Sequence, residues 1–320
     1  MLYQLSHVRS ASPGEPRVVR KALYPIDPAA QTHPRDRGSL PSALMRVWLD
    51  GRLVEEPEAR VSVFDHGFTV GDGVFETAKV VDGVPFALTR HLQRLQRCAE
   101  GLGLPRPDEA LVRQAVSATI EANQDERRPR LQRLRITYAG GVGPLGSDRS
   151  TVQPTLVVAV APLSPPAPSI ALATVPWPRN ERGALAGLKT TSYAENVVAL
   201  ARAQRAGADE AVFADTRGRL CEGTGSNVFV VLEGQVLTPS LASGALAGVS
   251  RALVLEWSDA QEADLPIDVL GHADEVFVTS STRDVQAVHA VDGRALAAPG
   301  PLTREVAARF AQRASAEHDP

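Results

Sequence analysis

The sequence predicts an α+β protein of two units, and three observations carry that expectation. From residue 45 onward, strand-like runs closed by Asp-Gly turns alternate with segments of helical periodicity. A proline-dense stretch, Leu163-Ser164-Pro165-Pro166-Ala167-Pro168, interrupts them and reads as a linker. A chain of 320 residues, 43% apolar, has material for one large core or two medium ones.

The elements follow in order. Residues 1–44 carry prolines at positions 13, 16, 25, 28, 34 and 41 and more basic than acidic side chains. That composition supports neither an amphipathic helix nor a core, so a disordered extension is expected. It has no continuous apolar run for a secretory signal, and its prolines oppose the helix of a transit peptide. Met45, the only methionine after Met1, stands just before the first strand pattern, so the mature protein is expected to begin there. Arg46–Leu49, the Asp50-Gly51 turn and Arg52–Val54 read as a hairpin, and Val74–Val81, Asp82-Gly83 and Val84–Leu88 as another. A helix opens at Thr89, with Leu92, Leu95, Cys98, Ala99 and Leu102 at helical spacing, and a second runs from about Pro107 to Ala122. Strands at Arg133–Tyr138 and Thr155–Ala161, on either side of a glycine-rich loop at 140–146, complete a first unit at 45–162.

After the linker at 163–168 comes a second unit, 169–315. It starts with a strand at Ile170–Val175. A helix at Ala194–Ala206 places Val197, Val198, Leu200 and Ala201 on its apolar side, and Gly207 ends it. Strands are expected at Glu210–Ala214, Leu220-Cys221, Asn227–Leu232, Gln235–Leu237 and Glu275–Thr279. Helices at Ser250–Ser258 and Thr303–Arg313 and a tail at 316–320 finish the chain.

Bulk properties exclude several classes of function. The 34 basic and 37 acidic residues give a net charge of −3, which is no footprint for nucleic acid. Two cysteines, Cys98 and Cys221, are too few for a disulfide framework and fit a reducing, cytoplasmic setting. No two of the seven histidines lie within four positions of each other, so local spacing supports no metal site. No apolar run approaches the roughly 18–20 residues of a membrane span.

The chemistry concentrates in two places. Lys189 lies in Gly187-Leu188-Lys189-Thr190-Thr191-Ser192-Tyr193, ahead of a helix, and Glu222 opens Glu222-Gly223-Thr224-Gly225-Ser226-Asn227, ahead of a strand. A lysine that joins an aldehyde cofactor and a carboxylate that keeps a pyridine nitrogen protonated suit pyridoxal phosphate chemistry. Either residue alone reads as an ordinary surface group. Gly223-Thr224-Gly225 is no dinucleotide loop, because no third glycine and no helix follow.

Three further motifs accompany the pair. They are Phe64-Asp65-His66-Gly67 running on to Gly71-Asp72-Gly73-Val74-Phe75-Glu76-Thr77, then His91-Leu92-Gln93-Arg94-Leu95, and Gly248-Val249-Ser250 with Ser280-Ser281-Thr282. In this order the motifs resemble the class IV aminotransferase family, the fold-type IV group of pyridoxal phosphate enzymes. That family includes branched-chain and D-amino acid aminotransferases and 4-amino-4-deoxychorismate lyases. The resemblance runs from about Met45 to about Ala311 and implies a small α+β domain followed by a larger pseudobarrel domain that holds the cofactor. It implies pyridoxal 5′-phosphate joined to Lys189, with Glu222 at the pyridine nitrogen. Arg94, Val249, Ser250 and Ser281 would take the phosphate, although a solvated helix arginine and a plain N-cap serine would look the same in sequence. Phe75 and Thr77, on one face of a strand, would line the substrate pocket, with Glu76 pointing away.

The activity stays open between two readings. The Arg-x-His carboxylate trap of D-amino acid aminotransferases is missing after Tyr138, and the resemblance implies that Thr77 would supply a pocket hydroxyl, with a catalytic part in elimination. The first reading is therefore a 4-amino-4-deoxychorismate lyase, forming 4-aminobenzoate and pyruvate for folate. The alternative is an amino acid aminotransferase of branched-chain or D-amino acid type. The resemblance also implies a homodimer whose sites are completed by the partner chain, acting on a small-molecule substrate.

Overall fold

The computed structural model describes residues 45–124, 129–149 and 153–320. The extension expected at 1–44 lies outside the described residues. Two Asp-Gly turns shape the start: Asp50 and Gly51, and Asp82 and Gly83, all take positive φ, as two-residue hairpin turns require. They join β1 (Arg46–Leu49) to β2 (Arg52–Glu55), and β3 (Gly73–Val81) to β4 (Val84–Pro85). A one-turn helix, α1 (His66–Thr69), precedes β3. β4 is shorter than expected because Ala87 turns to a left-handed φ of 53° and feeds α2 (Leu88–Leu102). α3 (Glu109–Ala122) follows, capped by Asp108 on the amides of Ala110 and Leu111. β5 (Leu131–Ala139) and β6 (Thr155–Pro162) close a wholly antiparallel six-stranded sheet in the order β2-β1-β6-β5-β3-β4. α2 and α3 bury their apolar stripes against it, with Leu92, Leu95, Val116 and Leu134 in that core.

The second sheet is mixed. Its elements are β7 (Ser169–Thr174), α4 (Ala194–Arg205), β8 (Glu210–Ala214), β9 (Leu220–Gly223), β10 (Asn227–Leu232) and β11 (Gln235–Pro239). They continue with α5 (Val249–Trp257), β12 (Gln261–Ala263), β13 (Glu275–Ser280), β14 (Asp284–Val291), β15 (Arg294–Ala295) and α6 (Pro301–Ala316). The strand order is β12-β11-β10-β13-β14-β7-β8-β9, with β15 on β14. β9, at one end, comes back against β10 and β11, so the sheet curls into a half-barrel filled by Leu172, Leu220, Val228 and Val278. α5 and α6 cover its outside around Phe229, Phe277 and Phe310.

Three expectations need correction. Val197 and Val198 are 63% and 51% exposed, and α4 instead buries Asn196, Ala199 and Ala203. Its buried stripe is of small residues because β7 and β8 approach closely. β12, β14 and β15 and the short α1 have no counterpart in the sequence reading. Residues 317–320 are also no loose tail: Ala87 N donates to His318 O, and Asp319 accepts from the amide and hydroxyl of Thr89.

Candidate active site

A cavity of about 940 Å³ opens between the two sheets, and every residue assigned a site role in the sequence lies on its wall. Lys189 is placed by its backbone. Leu188 seats closely on α2 because Gly101 leaves room; a Cβ there would come within 2.8 Å of Leu188 Cδ2. The Lys189 amide donates to Cys98 Sγ at 3.3 Å, its carbonyl accepts from Phe75 N, and Thr191 N donates to Gly73 O. The segment thus lies as an extra rung beside the start of β3. Its Nζ is directed over the rings of Phe75, 4.3 Å from the centroid, and Tyr193, 6.0 Å away. Burial, helped by the charge of Arg94, lowers the Lys189 pKa from 10.5 to about 8.

Glu222 faces the cavity from β9. Its Oε2 accepts from the Leu246 amide at 2.9 Å, and its Oε1 lies 3.5 Å from Arg179 Nη2. Burial raises its pKa, against the pull of Arg179 and the Leu246 amide. Arg179 stacks on Phe213, 4.1 Å from the ring centroid, and also holds Asn196 at the start of α4. The loop after Glu222 is fixed by Glu210, which accepts from Gly225 N, Ser226 Oγ and Arg283 Nη1. Gly223 packs closely there: a Cβ would meet Glu210 Oε1 at 2.5 Å, so the carboxylate that fixes the loop would have to shift.

At the other end of the cavity, Arg94 is 4% exposed, so it is not a solvated helix arginine. Its Nε and Nη2 donate to the two oxygens of Glu76 at 2.7 Å, and Nη1 donates to Ala247 O. One N–H on each Nη is left for another acceptor. Glu76 points away from Phe75 and Thr77 into this cluster. Burial would raise its carboxyl, but the charge and hydrogen bonds of Arg94, with His91 adding to them, hold it well below the usual carboxylate range. Val249 and Ser250 form the first turn of α5 and face the cavity with Ser281. Gly248 lies against Asn227, with an added Cβ only 2.0 Å from its Oδ1, so the helix start sits close to β10.

A further part of the wall is cationic. Arg135 pairs with Thr77 across β5 and β3, and its guanidinium lies over Phe75 at 3.5 Å from the centroid. Burial pulls its pKa down to about 10, which leaves it charged at neutral pH. Arg133 lines the same face two residues along. Arg179, Glu210 and Tyr193 carried no role in the sequence reading. Tyr193 stood in the lysine motif itself, but Arg179 and Glu210 gave no local signal, because each acts on Glu222 or its loop across strands.

The fit of this site to pyridoxal phosphate can be tested on its own atoms. Two buried polar atoms on the wall, Arg179 Nε and Thr279 Oγ1, have no hydrogen-bond partner among the described residues. A buried amine of lowered pKa, a carboxyl of raised pKa and a helix start beside an arginine form the donor set that such a molecule needs.

Comparisons with known proteins agree. The amino-transferase class IV family pattern matches residues 73–291. A Methanocaldococcus jannaschii chain carrying the name "Putative branched-chain-amino-acid aminotransferase" is 34% identical over 279 residues, covering 83% of this chain and 95% of its own length. Aminodeoxychorismate lyase of Bacillus subtilis is 28% identical over 250 residues, 75% of this chain and 84% of the lyase. The structure of a branched-chain aminotransferase from Thermoproteus uzoniensis superposes with a TM-score of 0.79 at 29% identity, over 84% of this chain and 94% of that one. The half-barrel fold, the lysine–carboxylate cavity and these matches place the chain in the class IV aminotransferase family of pyridoxal phosphate enzymes.

Proposed function

We propose that the chain is an amino acid aminotransferase, moving an amino group between an amino acid and a 2-oxo acid. The observation that carries the proposal is the balance of likeness, 34% to an aminotransferase against 28% to a lyase. The lyase becomes the second reading, supported by Thr77 on the cavity wall beside Phe75.

When bound, pyridoxal phosphate supplies a carbonyl for covalent attachment and a ring that stores the electron pair left by a departing α-proton. Lys189 would hold it through Nζ, and the same atom, with its lowered pKa, accepts and returns the α-proton. Glu222 would face the ring nitrogen; a carboxyl whose pKa burial has raised shares a proton readily with a pyridine. Arg94, Ser281 and the amides at the start of α5 would take the phosphate. Among the described residues no carboxylate pairs with Arg133 or Arg135, and we assign Arg135 to the substrate carboxylate. Arg135→Gln should raise KM for the 2-oxo acid about 10–100-fold, the cost of one charged hydrogen-bond pair, without changing the cofactor's absorption. An unchanged KM would remove Arg135 from that role.

A homodimer is part of the proposal. Val63, Phe64, Phe68, Val142 and Leu145 are exposed, Phe68 and Leu145 at 75%. The Asp65–Val142 bridge and the Gly143 N to Phe64 O bond bring their segments together. An apolar surface of this kind suits a second copy of the chain.

A further inference from the structure

His91 has no role so far, yet it is buried inside the charged cluster at the phosphate end of the cavity. Its Nδ1 lies 2.6 Å from Glu76 Oε2, and its Nε2 lies 3.3 Å from Ser281 Oγ. Glu76, held ionised by Arg94, can only accept, so Nδ1 carries a proton and donates. In a neutral ring Nε2 is then a bare acceptor, and Ser281 must turn its O–H toward it. A hydroxyl committed in that direction offers the cavity only lone pairs, which repel a phosphate oxygen.

We propose that binding of a phosphate ester at this end of the cavity is coupled to uptake of one proton by His91. The inference rests on the phosphate assignment of Arg94 and Ser281 made above. The proton comes from solvent to Nε2, which then donates to Ser281 Oγ, and the serine O–H turns onto the phosphate. Only hydrogen bonds change. His91 is thus a positioning residue that acts through Ser281.

The charges around the ring decide the direction. Glu76 faces it from β3, Arg94 from its own helix α2 and Lys189 from the segment before α4. Without an anion, burial keeps the ring neutral, with Arg94 and Lys189 adding to that effect against Glu76. Glu76 and Arg94 nearly cancel, so a phosphate bringing about two negative charges leaves the cluster short of cations. An imidazolium next to it restores the balance. The folded group's pKa rises on binding, so affinity should increase as pH falls through the bound-state value.

The test is calorimetry on the full-length chain freed of cofactor, titrated with pyridoxine 5′-phosphate, which carries the ester but no aldehyde. In buffers of different ionisation heat near about pH 7, where the ester is mostly a dianion and Lys189 is already mostly protonated, about one proton should be taken up per site. His91→Gln keeps a donor for Glu76 and an acceptor for Ser281 but cannot gain a proton. It should bind the ester with no uptake and an unchanged melting temperature. Ring-nitrogen NMR of the wild-type holoenzyme needs no variant: both His91 nitrogens should be protonated with cofactor and only one without. Ester binding with no proton uptake, or a neutral His91 in the holoenzyme, would overturn the inference alone. Failure of the ester to bind at all would overturn the phosphate assignment as well.

Discussion

Lys189 is held by its backbone, through Cys98 and Phe75, with Thr191 tying the same segment to Gly73, while its amine is left over two aromatic rings in a buried setting. Its pKa is lowered in the folded chain, so between about 8 and 10.5 the folded state binds fewer protons than the unfolded state. Stability from this group therefore increases with pH across that window, and the amine becomes reactive near neutral pH. In cofactor-free protein, acylation of Lys189 followed by mass spectrometry should rise with pH to a midpoint near 8. A midpoint at the ordinary lysine value would contradict the burial argument. Lys189 and Glu222 were legible because their motifs are local. The roles of Glu76, Arg135 and Arg179 were not, since each depends on a partner brought close only by sheet pairing or by α2.

α2 carries His91 and Arg94, but its own N-cap position is Ala87, which has no side chain to cap with. Asp319 supplies the missing cap from the far end of the chain, with bonds of 2.8 and 2.6 Å to the amide and hydroxyl of Thr89. Asp319→Ala should cost about 1 kcal/mol and lower the melting temperature by about 2–4 °C, and Asp319→Asn should recover part of it. Calorimetric curves that coincide for all three proteins would show that the contact contributes nothing. No sequence pattern near Thr89 announces a cap 230 positions away. β14 was hidden for a different reason: a bulge between Val288 and Ala290 shifts its alternation, so the period of two is lost midway. The hairpins of β1 to β4 were legible because Asp-Gly turns fix their own geometry. The buried face of α4 misled because Asn196, Ala199 and Ala203 serve close approach, where hydrophobicity alone favours Val197 and Val198.

Across the whole molecule the two sheets meet at the cavity and are tied beside it. Lys79 on β3 forms a salt bridge of 2.6 Å with Asp284 at the start of β14, just after the Ser281 turn. The exposed surface around Phe68 and Val142 sits on the first sheet's side, and Phe68→Glu should shift sedimentation from dimer to monomer. A wild-type chain that sediments as a monomer would dispose of the homodimer. The α+β class and the family were legible from motif order, whereas the reaction was not, because lyase and aminotransferase need the same lysine, carboxylate and phosphate residues. The most direct measurement is a half-reaction without acceptor. The purified holoenzyme, mixed with single L- and D-amino acids and separately with aminodeoxychorismate, is followed for 2-oxo acid release. An aminotransferase should release about one 2-oxo acid per site from its amino acid, stop, and resume when a second 2-oxo acid is added. Continuous pyruvate release from aminodeoxychorismate with no acceptor, and no half-reaction with any amino acid, would contradict the account.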